Sequence, residues 1–74
     1  MKKNALAVRV GRAIRARREN TGLSQEAFAD AIDMHRAYYS AIERGEKNIT
    51  LATLQRVAKG LKLTMSAVLA DVDL

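Results

Sequence analysis

The chain has 74 residues, a net charge of +5 at pH 7, 49% hydrophobic residues, one histidine and no cysteine. This length allows one small domain, expected to span residues 1–74. The absence of cysteine excludes disulfides and thiolate chemistry, and with a single histidine it makes a histidine–cysteine metal centre unexpected. No apolar run approaches the ~18 residues of a membrane span, and the basic start lacks an apolar stretch of signal-peptide length. We therefore expect a cytoplasmic protein with no metal, cofactor, small-molecule ligand or membrane contact.

The first predicted helix is strongly basic. Leu6, Val10 and Ile14 recur at the i, i+4, i+8 spacing of one helical face, and Arg18 continues that line. Seven of the thirteen basic residues lie in the first 18 positions, without an acid among them. Such a surface suggests a polyanion, either nucleic acid or an anionic membrane, and the alternative is a solvated arginine-rich helix. The helix has no aromatic residue, which counts against the membrane surface.

The second and third predicted helices are short and close together. Ser24 is a good N-cap for a helix that ends near Ile32, and its buried face is expected to consist of Phe28, Ala31 and Ile32. A turn at 33–34 follows, where Asp33 tolerates a left-handed backbone better than most residues do. The next helix runs from about His35 to 44. Two short helices separated by about three residues are the geometric signal of a helix-turn-helix, here at about 24–44.

Two further helices complete the chain. Thr50 can cap the fourth helix, and its inner face is predicted to carry Leu51, Leu54, Val57, Ala58 and Leu61. Thr64 can cap a fifth helix from Met65 to about Asp71. We find no strand candidate and no internal repeat. The prediction is an all-α fold of five short helices with tight connections.

Several segments together resemble the Cro/lambda-repressor-like helix-turn-helix family, often called the XRE family. The likeness lies in the run SQEAFADAIDMHRAYYSAIERGEKNITLATLQRVAKGL and extends from about Val10 to Leu69. The segment RAYYSAIERGEKNITLATL is similar to small stand-alone regulators that include restriction–modification controller proteins. The resemblance implies a five-helix lambda-repressor-like DNA-binding domain whose third helix enters the DNA major groove.

The outer face of the third helix is the implied base-reading surface. Arg36 and Arg44 supply long donors, and arginine can bind guanine O6 and N7 together. Ala37, Ser40 and Ala41 are small enough to let the helix approach base edges closely. Helix propensity is the alternative explanation for the alanines.

Neighbouring positions are implied phosphate contacts. Ser24 and Gln25 lie at the start of the second helix, where free backbone N–H groups favour a phosphate. Lys47 and Asn48 follow the third helix, and the alternative for both is an ordinary polar loop. The hydroxyl of Tyr38 either reaches a phosphate or rests on the surface. Basic residues of the first helix, Lys2, Lys3 and Arg9, would add only diffuse attraction.

The resemblance also implies an ion pair, because members like this chain pair an arginine and a glutamate at the positions of Arg18 and Glu43. We predict a largely buried salt bridge, with two solvated charges as the alternative. Tyr39 departs from the pattern, since valine or isoleucine usually fills its position, so its hydroxyl must reach solvent or a partner. Asp33 and Lys62 stand where glycine is common.

The family usually acts as a twofold dimer on a palindromic site. The candidate dimer surface is the segment 63–72, with Leu63, Met65, Val68, Leu69 and Val72, and its division between core and interface stays open. We predict a regulator of transcription that binds specific double-stranded DNA as a homodimer on a palindromic operator. The alternatives are an antitoxin or phage-type repressor controlled by a protein partner, and a protein-interaction module that binds no DNA. No catalytic constellation is found, so an enzyme is not expected.

Overall fold

The computed structural model describes residues 4–72, which form five α-helices and no strand. The helices are α1 (Ala5–Thr21), α2 (Gln25–Ala31), α3 (Arg36–Glu43), α4 (Leu51–Gly60) and α5 (Met65–Ala70). The predicted all-α class is confirmed, and the predicted helix ends agree to within about two residues. Lys2 and Lys3, for which diffuse attraction was expected, lie outside the described residues.

Polar N-cap residues explain why the helices begin where they do. The side chain of Ser24 accepts a hydrogen bond from the Ala27 backbone N–H at 3.0 Å. Thr50 and Thr64 do the same for α4 and α5 at 3.1 Å each. Each cap satisfies one of the N–H groups that the first helical turn leaves without a partner. Because these contacts span three residues, they are readable from the sequence.

The core lies where the five helices converge. Its fully buried large side chains are Ile14, Phe28, Tyr39, Ile42, Val57 and Val68. The rings of Phe28 and Tyr39 pack with their centroids 5.1 Å apart at an angle of 49°. This contact joins α2 to α3 inside the core.

Two predicted core positions are wrong. Leu51 is 74% exposed and Ala31 is also exposed. Leu51 is the first residue of α4 and Ala31 the last of α2, so both lie at helix ends that reach past the packed centre. The spacing of apolar residues identifies a face of a helix, but it does not say where along the axis the neighbouring helices stop.

The C-terminal end of α3 lies directly on the backbone of α1. A β-carbon at Gly11 would lie 2.6 Å from the carbonyl oxygen of Glu43, and one at Gly45 would lie 2.6 Å from Cα of Val8. Both distances are far shorter than side chains tolerate. The two glycines therefore permit the close approach of α3 to α1, and this contact fixes the position of α3 relative to α1.

The turn between α2 and α3 has the geometry expected for Asp33. Its φ is 55°, and the Asp33 and Met34 N–H groups donate to the carbonyls of Asp30 and Ala29 at 3.1 and 2.8 Å. This pair of bonds is a Schellman motif with aspartate at the position glycine usually takes. Lys62, at φ 60°, adopts the same left-handed conformation after α4.

Candidate nucleic-acid interface

The solvent side of α3 presents a shallow depression lined by His35, Arg36, Ala37, Ser40 and Arg44. Ser40 is half-buried and the others are exposed. The depression therefore brings together four of the five predicted base-reading residues. Its small central side chains, flanked by arginines, leave the helix backbone accessible to a groove.

Ala41 does not belong to this surface, and its assignment to base readout is corrected. Ala41 is only 6% exposed. It lies next to Ile42 and Glu43, which also face inward from the last turn of α3. Because α3 leans closely on α1 at this end, the inward face of the helix is wider than apolar spacing alone indicates.

The two arginines of the depression differ in their partners. Arg44 donates to the Ser40 hydroxyl at 2.6 Å and to the Glu46 carboxylate at 2.9 Å, and the Glu46 hydrogen bond raises the pKa of Arg44. Arg36 has no hydrogen bond or ion pair with any of residues 4–72. Arg36 is therefore ready to bind an acceptor, whereas Arg44 must first exchange an existing carboxylate.

Tyr38, Lys47 and Asn48 lie on one flank of α3 and are exposed. The Lys47 ammonium is 5.8 Å from the centroid of the Tyr38 ring, a cation–π distance. This contact places a positive charge at the ring of Tyr38, which follows Ala37 of the base-reading depression in the chain. Such a pair is suited to a phosphate, because it offers two donors on one flank of α3.

Ser24 and Gln25 begin α2, as predicted, but their side chains are already engaged. Ser24 is exposed and caps α2. The amide nitrogen of Gln25 donates to Oε1 of Glu43 at 2.8 Å, so its donor faces the protein interior. The structure thus gives Gln25 a contact within the protein, in place of a free outward-facing amide.

Behind the depression lies a buried polar cluster centred on Glu43. Arg18 Nε and Nη2 donate to the two carboxylate oxygens at 2.6 and 3.1 Å, and the side chains of this ion pair are 9% and 1% exposed. The Tyr39 hydroxyl also donates to Glu43. Arg18 Nη1 donates further to the Leu23 carbonyl at 2.8 Å. The cluster links α1, the α1–α2 connection, α2 and α3.

The environment of the cluster shifts two pKa values. Burial alone would raise the pKa of Glu43, but the hydrogen bonds from Arg18, Tyr39 and Gln25 outweigh burial and lower it below 4.5. Burial and the hydrogen bond to Glu43 raise the pKa of Tyr39. Glu43 therefore stays ionised and Tyr39 stays a neutral donor at neutral pH. The sequence alone left open which group the Tyr39 hydroxyl meets, although the i, i+4 spacing of Tyr39 and Glu43 is a signal for this contact.

The candidate dimer surface divides into two parts. Leu63, Met65 and Leu69 are partly buried and pack against the edge of the core. Val72 is 6% exposed and Val68 is fully buried, so both belong to the core. The placement of Val72 at a dimer interface is corrected, because its side chain packs into the core just after the end of α5.

Residues 4–72 hold neither a membrane-spanning helix nor a metal-binding cluster. No helix there is long and apolar enough to cross a membrane. Within the same range, no group of three or more histidine, cysteine or acidic side chains could hold a metal ion.

The geometry described above, a short helix held on two neighbours with its small-residue face open, is that of a helix-turn-helix unit. The helix-turn-helix family HTH_3 matches residues 14–68. This range contains α2, the turn, α3 and the buried ion pair. The chain belongs to this family, in agreement with the resemblance found in its sequence.

Known proteins of the family include close matches in both sequence and structure. Control protein C.MunI of Mycoplasma sp is 41% identical over 71 residues, which are 95% of this chain and 96% of C.MunI. The restriction–modification controller protein C.AhdI from Aeromonas hydrophila superposes with a TM-score of 0.84 at 31% identity, over 88% of this chain and 98% of C.AhdI. The controller C.Esp1396I, solved as a tetramer with its natural 35 base-pair operator, gives a TM-score of 0.81 at 27% identity, over 93% and 96%.

Proposed function

We propose that the protein is a transcriptional regulator that binds a specific double-stranded DNA operator. The observation that carries this proposal is the open face of α3, with Arg36 free at its start and only small side chains along its middle. A helix of this shape fits the major groove, where base edges offer acceptors to arginine. The operator complex of C.Esp1396I supports the same use of the fold.

In the proposed complex, Arg36 reads a base pair near the N-terminus of α3, and Ala37 packs against a thymine methyl or simply permits close approach. Arg44 takes part once DNA displaces Glu46 from its guanidinium. Tyr38 and Lys47 hold the phosphate backbone at one flank, together with Asn48. Ser24 marks the other flank, at the start of α2.

We further propose that a homodimer binds a palindromic site, with the exposed parts of Leu63, Met65 and Leu69 at the subunit interface. A single domain of this size contacts few base pairs, so pairing two domains is needed for useful affinity and specificity. Control of transcription then follows from occupancy of the operator in the cytoplasm, and no catalytic step is part of the proposal.

The test is selection from random-sequence duplex DNA, followed by titration of the best site at fixed salt. We expect a palindrome to be enriched. Arg36→Ala should weaken binding by ~1–3 kcal/mol and relax the preference at one base position in each half-site.

Arg12→Ala is the matched control, because Arg12 is exposed on the outer side of α1 and the substitution removes the same charge. It should weaken binding slightly and equally for all sequences. If selection enriches no sequence and affinity follows salt alone, the proposed function is wrong and the basic charge serves a general polyanion.

A further inference from the structure

Arg56 is an exposed residue of α4 that reaches across to the helix-turn-helix turn. Its Nε donates to the carbonyl oxygen of Ile32 at 2.9 Å, and its Nη2 donates to that of Asp33 at 2.5 Å. The two acceptors are consecutive residues of the connection between α2 and α3. One side chain of α4 thus holds the backbone at the point where the chain changes direction toward α3.

The turn needs such a donor. The last carbonyl groups of a helix have no partner within it, and the Schellman bonds at Asp33 and Met34 satisfy only those of Asp30 and Ala29. Arg56 supplies donors to two later carbonyls of this connection, those of Ile32 and Asp33. Its positive charge also lies at the C-terminal end of α2, where the helix dipole favours a cation.

The planar guanidinium is essential to this contact, because it presents two parallel donors in a fixed geometry, whereas an ammonium group is a single point with rotating donors. The neighbouring Lys59 is likewise an exposed cation of α4. It makes no hydrogen bond to the turn among the described residues. The contact of Arg56 with the turn therefore depends on its position and its guanidinium group, and not on its positive charge alone.

We propose that Arg56 is a positioning residue for DNA recognition: it fixes the turn at 32–33 and thereby the direction in which α3 presents Arg36. Arg36 begins α3 only three residues after Asp33, so rotation of the turn moves it directly. This inference rests on the proposed function and adds a residue that lies outside the proposed DNA-contacting surface.

The experiment compares Arg56→Met, Arg56→Lys and the control Lys59→Met. Each is titrated at one salt concentration with the selected operator and with a scrambled duplex of equal length, well below its melting temperature. Hydrogen exchange of the Met34 and Asp33 amides is measured on the free proteins, because these N–H groups belong to the turn.

We expect Arg56→Met to lower the affinity for the operator about tenfold. Its affinity for the scrambled duplex should fall no further than that of Lys59→Met. Exchange of the Met34 amide should be faster in Arg56→Met and unchanged in Lys59→Met. Arg56→Lys should fall between the two, because it keeps the charge and one donor. It also serves as the folded comparison if Arg56→Met proves unstable.

Two results would overturn the inference. If Arg56→Met and Lys59→Met weaken both duplexes equally, Arg56 contributes charge and not position. If operator affinity falls while exchange of the turn amides is unchanged, Arg56 acts at the DNA and not through the turn. A wild-type protein that fails to prefer the operator over the scrambled duplex would instead overturn the proposed function itself.

Discussion

Two neighbouring arginines of α1 form ion pairs of nearly the same geometry in opposite environments. Arg18 meets Glu43 at 2.6 and 3.1 Å with side chains 9% and 1% exposed. Arg17 meets Asp71 at 2.5 and 3.0 Å with side chains 37% and 33% exposed. The α-helix turns about 100° per residue, so one arginine faces the core and the next faces the edge of α5.

The comparison shows that bond length alone says little about the importance of an ion pair. The buried carboxylate has lost its water, so it depends on Arg18, Tyr39 and Gln25 together. Removal of Arg18 leaves a buried charge without a counter-ion, whereas removal of Tyr39 or Gln25 leaves the carboxylate one hydrogen-bond donor short. The accessible pair keeps water as an alternative partner for both groups. The buried pair therefore fixes the arrangement of helices behind α3, whereas the accessible pair adds a contact between α1 and the end of α5.

The largest expected effect comes from breaking the buried pair. Glu43→Ala should lower the free energy of unfolding by ~3–5 kcal/mol, because it leaves Arg18 buried without a counter-ion. Urea denaturation followed by circular dichroism measures the change. A loss below about 1 kcal/mol would mean that water reaches Arg18 easily and that the pair behaves as a surface contact.

A double variant, Arg18→Met with Glu43→Leu, is the control for this prediction. It should recover part of the lost stability, because it leaves no unpaired charge inside, while the Tyr39 hydroxyl still lacks its acceptor as in Glu43→Ala. If the double variant is as unstable as Glu43→Ala, the cluster acts through its shape and not through charge.

The next largest effect is expected from low pH, which should remove the stabilisation that the ionised Glu43 provides. The folded state lowers the pKa of Glu43 from 4.5, so its stabilising contribution is complete above that value and is lost as the pH falls through the lowered pKa. The stability difference between the wild type and Glu43→Gln should therefore be constant at neutral pH and shrink below about pH 4.5. Denaturation curves between pH 7 and 2 test this. A difference that stays constant down to pH 2 would contradict the lowered pKa.

The smallest effect is expected for the accessible pair. The hydrogen bond from Arg17 lowers the pKa of Asp71 below 3.8, but both groups remain open to water and salt. Asp71→Asn should change the melting temperature only slightly at low salt and not at all in 1 M salt, where Glu43→Ala keeps its full effect. If Asp71→Asn still lowers the melting temperature in 1 M salt, the Arg17–Asp71 pair stabilises the fold without being screened by salt, as the buried pair is expected to do.

Much of the fold could be predicted because its signals are local. The caps at Ser24, Thr50 and Thr64, and the left-handed position at Asp33, depend on residues no more than five apart. The family likeness then supplied the pairing of Arg18 with Glu43, which lie 25 residues apart and which helical periodicity alone does not connect.

The candidate site was predicted less completely. The structure exposes Arg36, Ala37 and Arg44 on one surface, but it buries Ala41 and engages Gln25 inside the protein. A helical wheel gives the direction of each side chain from the axis. It does not give the distance to the next helix, and the close approach of α3 to α1 turns an apparently outer alanine into an inner one.

The sequence by itself determined where the helices begin and end, because capping and periodicity are satisfied within a turn or two of chain. Only the tertiary structure decided that Leu51 is exposed, that Val72 belongs to the core, and that Arg56 binds the turn. These outcomes depend on how far each helix overlaps its neighbours. Burial and long-range hydrogen bonds arise from that overlap, so no local pattern of residues can specify them.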